Sequence, residues 1–213
     1  MAPSRLICAP AAALAAVLAS GLAAAGPAAQ AVGPVTPRDM TLGDPHARVT
    51  VIEYASASCP HGAWFNNQVF PAFKAKYVDT GKVRYVFREI LTPPGELAMA
   101  FFLEARCAGR SRYFSVIDQA FHAQKKIYDS GDWHSSIYDI GRSAGLDEAR
   151  LTTCLRDQAA RDAMTARASA YATRDGITAT PTFVIGDQRL NGEQSLAALD
   201  EAIAKAKAGG RER

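Results

Sequence analysis

Two β-branched runs with one amphipathic run between them constrain this chain more than any other feature. Arg48 to Ala55 reads RVTVIEYA, nearly continuous and β-branched, as a buried strand does. From Pro60 to Val78, the residues Phe65, Val69 and Phe73 fall on one face of a helix. Pro71 lies inside that stretch and predicts a kink, because proline lacks the N–H and crowds the preceding turn. Lys82 to Arg88 alternates Val83, Tyr85 and Phe87 with Arg84 and Arg88, which predicts a half-exposed strand. Strand, helix and strand together make a βαβ unit with a parallel pair.

The pattern then changes period. Residues 92–175 read as helix throughout. Leu97 to Ala108 is strongly apolar, and Tyr113, Val116, Ile117, Ala120 and Phe121 line one face of the next helix. A short helix follows at Ser135 to Ser143, then one capped by Asp147 and one from Arg156 to Thr173. Arg156, Arg161, Arg167 and Arg174 read as a solvated face beside Asp157 and Asp162. Strand signals return at Thr182 to Ile185 and, after a turn at Gly186-Asp187, at Arg189-Leu190. A last helix starts at Ser195, with Leu196, Leu199 and Ile203 on one face. The order β-α-β, helical block, β-β-α predicts a small α/β core split by a helical insertion.

Composition excludes several classes. With 213 residues, 48% of them apolar, and a net charge of +3, the chain is neither disordered nor a basic nucleic-acid binder. Met1 to Arg5 carries one positive charge, Leu6 to Gly26 carries none, and small-residue cleavage patterns follow at Ala23-Ala24-Ala25 and Ala29-Gln30-Ala31. That layout predicts a secretory signal peptide over 1–31 and no stable membrane association once it is cleaved. The expected organisation is then a core of 32–91 and 176–208, an insertion of 92–175 and a frayed tail of 209–213. Loss of the leader removes Cys8 and leaves Cys59, Cys107 and Cys154. An odd count in an oxidising compartment implies one pair and one reactive thiol.

Ser58-Cys59-Pro60-His61-Gly62 lies at the junction of the first strand and first helix. A cysteine there meets unpaired helix N–H groups and the positive end of the dipole. Pro60 costs nothing at the first helical position, and His61 can place a polarisable or positive group near the sulfur. All three favour the nucleophilic thiolate. Glu53, in an otherwise apolar strand, is a candidate proton carrier with a raised pKa. The four histidines, at 46, 61, 122 and 134, have no metal-ligand spacing.

On these residues the chain resembles the DsbA family of bacterial periplasmic thiol:disulfide oxidoreductases, which have a thioredoxin fold with a helical insertion. The resemblance covers about residues 40–207. It is carried by TLGDPHARVTVIEYAS, the Cys-Pro-His motif, FPAFKAKYVDTGKVRYVFRE, ARCAG and GITATPTFVIG. It implies that Cys59 is a surface-exposed nucleophile tuned by Pro60 and His61, and that Glu53 is the buried acid beneath the active-site helix. It also implies a cis-proline loop at Thr180-Pro181 that pairs with extended substrate; in general only about one X–Pro bond in twenty is cis. The implied fold class is the α/β thioredoxin fold with an all-helical insertion. No cofactor is implied beyond glutathione as a co-substrate, and the implied partners are cysteine-containing secreted proteins or small thiols.

One departure decides the mechanism. The fourth motif position, a second cysteine in the family, is Gly62. A dithiol oxidase stores its oxidising power in that bond. This chain is expected to work instead as a monothiol, through mixed disulfides, in reductase, isomerase-like or deglutathionylating reactions. Cys107 and Cys154 lie on apolar faces of the insertion and are expected to pair, as in some members of the family, a closure worth roughly 4 kcal/mol. Two other functions stay open: a degenerate binder of extended chains, and a glutathione-dependent transferase or isomerase. A Cys59 that forms mixed disulfides separates the first reading from the binder.

Overall fold

The computed structural model describes residues 32–209; the expected leader lies outside the described residues. Its sheet runs β1-β3-β2-β4-β5, with β1 Met40–Leu42, β2 Val49–Ala55, β3 Val83–Glu89, β4 Thr182–Ile185 and β5 Gln188–Asn191. β2 and β3 are parallel, and the other neighbours are antiparallel. The parallel pair requires a crossover, which α1 Pro60–Gln68, α2 Phe70–Phe73 and a π-helical turn Lys74–Val78 supply. The kink at Pro71 takes this form: Val69 ends one helix and Phe70 begins another. Phe65, Val69 and Phe73 are buried, as their spacing predicts.

Between β3 and β4 stand α3 Gly95–Cys107, α4 Tyr113–Ser130, α5 Trp133–Ser143, α6 Glu148–Arg156 and α7 Gln158–Arg174. α8 Leu196–Gly209 closes the described chain, and Ser195 accepts from the Ala198 N–H at its start. The helix expected from Arg156 to Thr173 is two helices. Asp157 breaks it, because its carboxylate accepts the Ala160 N–H and caps α7.

The arginines expected on a solvated face are not all there. Arg167 reaches Glu89 at 2.9 Å and Arg161 reaches Glu96 at 2.6 Å. Glu89 also takes both Arg106 bonds, at 2.6 and 2.7 Å, and the Tyr113 hydroxyl at 2.9 Å. One buried carboxylate at the end of β3 thereby joins α3, α4 and α7.

β3 is not half-exposed, and Arg88 is its correction. The second face of the sheet carries its own apolar cluster of Ile52, Tyr54, Val86, Ile90, Tyr171, Ile177 and Val184, against which Val32 and Val35 pack. Within it Arg88 is 1% exposed. Its guanidinium bonds Asp39 (3.1 Å), Asp175 (3.0 Å), the Tyr54 hydroxyl (2.7 Å) and the carbonyls of Gly33 and Pro34 (2.9 Å each). Burial pushes the Asp39 carboxyl up, but the Thr36 N–H, the Tyr171 hydroxyl and the Arg88 charge outweigh it and hold Asp39 below its ordinary value. β1, unread in the sequence, pairs Met40 with Phe87 and completes this edge.

Candidate active site

Cys59 caps α1 with extended backbone angles, φ −83° and ψ 120°, and Pro60 follows in the first turn. The chain reaches this position through a polar turn. The Cys59 N–H donates to the Ser56 carbonyl at 3.0 Å, and the Ser58 hydroxyl donates to the Thr92 carbonyl at 2.9 Å. α4 holds the turn from the insertion side. Gln124 donates to the carbonyls of Ala57 at 2.7 Å and Cys59 at 3.3 Å, and the Tyr128 hydroxyl donates to the Ser58 carbonyl.

The Thr180–Pro181 peptide is cis. It brings the Thr180 carbonyl within 3.2 Å of Cys59 Sγ, which donates to it. Residues 121 positions apart in the chain thus meet at the sulfur. The expected surface-exposed nucleophile is therefore corrected: Cys59 is only 9% exposed, with its sulfur on the cis-proline loop and its carbonyl held by Gln124 of α4.

His61 has a partner that the motif does not announce. The hydrogen bond of its exposed ring runs to Glu193 Oε1 at 2.7 Å, not to the sulfur. Glu193 follows β5, and no feature of the sequence pointed to it. Gly62 is buried at the first turn of α1. A Cβ there would lie 3.2 Å from Phe121 Cε1 and 3.5 Å from the Ser56 carbonyl. A side chain at this position is accommodated only if the α4 aromatic gives way.

Glu53 is 2% exposed in β2. Burial pushes its carboxyl up to about 8, against the hydrogen bond that the Tyr85 hydroxyl donates to it. A carboxyl so placed is protonated at neutral pH and can give up a proton when a neighbour demands one. Among the described residues no group of three His, Cys, Asp or Glu side chains is placed to hold a metal ion.

Cys107 and Cys154 are bonded, with Cα atoms 6.2 Å apart and 47 positions apart in sequence. Among the described residues Cys59 is the cysteine left unbonded. Protein processed to begin near residue 32 should show one titratable thiol per chain when denatured without reductant. Three would mean that the bond is absent from the folded protein.

A family model described as thioredoxin matches residues 35–205. The chain belongs to the thioredoxin family. Among proteins of this family it is DsbA-like. It is similar to the crystal structure of α-DsbA1 from Wolbachia pipientis, with a TM-score of 0.75 and 28% identity over 83% of this chain and 94% of that one. It is 30% identical over 178 residues to a protein of Rickettsia bellii named "Putative protein-disulfide oxidoreductase", covering 79% of this chain and 66% of that protein. A Rickettsia conorii protein of the same description is 30% identical over 173 residues, covering 81% and 61%. The chain thus spans somewhat under two thirds of the length of these curated relatives.

Proposed function

We propose that this chain carries out thiol–disulfide exchange through mixed disulfides on Cys59 alone, in the periplasm after loss of residues 1–31. The observation that carries the reading is the sulfur held 3.2 Å from the carbonyl of a cis-proline loop, at a helix start whose fourth motif position is Gly62. A substrate strand laid against that loop takes over the Thr180 carbonyl as a hydrogen-bond acceptor and brings its own sulfur to Cys59. Displacement of the Thr180 bond is also what frees the thiol to react. Without a neighbouring thiol the covalent complex waits for an external one, so glutathione or a second substrate thiol completes the cycle. Glu53 is the proton carrier in this reading, and cysteine-containing secreted proteins or small thiols are the substrates.

The test is incubation with a glutathionylated peptide, followed by intact-mass measurement. One glutathione or one peptide should appear on the wild type and none on Cys59→Ser. The wild type should introduce no disulfides catalytically into a reduced, unfolded protein. A Cys59 that forms no mixed disulfide overturns the exchange reading and leaves the cis-proline groove as a peptide-holding surface.

A further inference from the structure

Exchange through a single cysteine leaves one task without a residue. The external thiol that resolves the mixed disulfide must lose its proton before it can attack, and position 62 supplies no thiolate for the purpose. A base within the Cys59 motif and open to solvent would meet the need.

His61 has that placement. It follows Cys59 by two residues, and its side chain is 68% exposed. Its Nδ1 stands 2.7 Å from Glu193 Oε1. A carboxylate there accepts the Nδ1 proton and fixes the tautomer, which leaves Nε2 of the neutral ring as a bare acceptor. The same arrangement of carboxylate and imidazole orients the base in hydrolytic triads.

Glu193 is held in place by its neighbours. The Gly192 N–H donates to the Pro181 carbonyl at 2.8 Å. Gln194 donates to the carbonyls of Asn191 at 3.0 Å and Gly192 at 3.3 Å. The loop bearing Glu193 is therefore tied to the cis-proline loop that receives the Cys59 thiol. Motif, cis-proline loop and Glu193 loop are thereby linked in a ring of contacts that includes the Cys59 sulfur.

We propose that Glu193 is a positioning residue that holds His61 with Nε2 bare, so that His61 accepts the proton of the external thiol resolving the Cys59 mixed disulfide. The proposal rests on the exchange reading. The incoming thiol passes its proton to Nε2, and its sulfur attacks the partner sulfur of the mixed disulfide. A new disulfide forms between the external thiol and the partner, and the bond to Cys59 breaks. Cys59 leaves as thiolate and takes back the proton from the imidazolium. One thiol and one disulfide stand on each side, so no outside oxidant or reductant is consumed.

The experiment loads Cys59 with glutathione from glutathione disulfide, confirms the adduct by mass, and times its release by two external thiols. One is an alkyl thiol, mostly protonated at neutral pH; the other is an aromatic thiol, already a thiolate there. With the alkyl thiol, release relative to loading should fall about tenfold or more in Glu193→Gln and in His61→Ala. Glu193→Asp should recover most of the loss. With the aromatic thiolate the variants should match the wild type, since no proton needs accepting. A Glu193→Gln variant that slows both thiols alike, or neither, overturns the proposal and leaves the exchange reading intact. Failure of the wild type to take up glutathione on Cys59 overturns the exchange reading, and the proposal with it.

Discussion

Arg88→Met should cost about 3–5 kcal/mol of folding stability, because it removes one partner from a buried ion cluster and leaves the others charged. Arg88 and both of its acidic partners have fully buried side chains. Without the guanidinium, Asp39 keeps only hydrogen bonds, from Tyr171 at 2.7 Å and the Thr36 N–H at 2.6 Å, while Asp175 keeps Tyr54 at 2.7 Å and the half-exposed Arg174. The carbonyls of Gly33 and Pro34 lose their donor as well. A domain of ordinary stability has only about 5–15 kcal/mol to lose, so the melting temperature should drop by about 10 °C. Arg88→Lys should recover little, since an ammonium cannot serve partners on several sides of a planar fork. Segment 33–39 hangs on this cluster and should become the first site of proteolysis. Denaturant unfolding that shows a loss under about 1 kcal/mol would mean that the cluster is no better than a surface pair.

The misreading of Arg88 shows where sequence patterning stops. V-R-Y-V-F-R alternates as a half-exposed strand does, and by local pattern that is the right inference. What buries the other face is α7 and the segment around Val32 and Val35, which arrive from distant parts of the chain. Strands β2, β3 and β4, the helix break around Pro71 and the Asp147 cap are legible because each is set by residues within a few positions. β1 is three residues long, too short to show an alternation. At the site, Cys59, Pro60 and Gly62 are read directly from the motif. The seat of the Cys59 sulfur on the cis-proline loop and the Glu193 partner of His61 are not, since those contacts join residues 121 and 132 positions apart. Glu104 is a single glutamate inside an apolar helix, and nothing in the local pattern marks which way it faces.

Glu104 does not reach solvent, and its burial should give the protein a falling stability toward alkaline pH. It is 0% exposed in α3, and neither carboxyl oxygen has a hydrogen-bond partner. It lies against α5 where Gly141 makes room; a Cβ at 141 would stand 3.2 Å from Glu104 Oε1 and 2.8 Å from a Leu151 methyl. Burial alone pushes its carboxyl up to about 9, and Glu53 is pushed up to about 8. Both are protonated in the folded protein at neutral pH and ionised in the unfolded chain above the ordinary 4.5. The folded state then binds more protons, so stability declines as pH rises from about 4.5 and levels off only above about 9. Each group contributes up to about 1.4 kcal/mol per pH unit inside its window. Asp39 and Asp175 act with the opposite sign: their carboxyls are held below 3.8, so their stabilisation is lost as pH falls beneath that value. Glu104→Leu replaces an unpaired acid with an apolar side chain of smaller reach. It should stabilise the protein at pH 8 by more than at pH 5 and remove about one proton from the alkaline slope. Glu53→Gln, which keeps an acceptor for the Tyr85 hydroxyl, should remove the second. Denaturant titrations across the pH range measure both slopes, and a Glu104→Leu slope equal to the wild type would mean that this carboxyl ionises freely in the folded state.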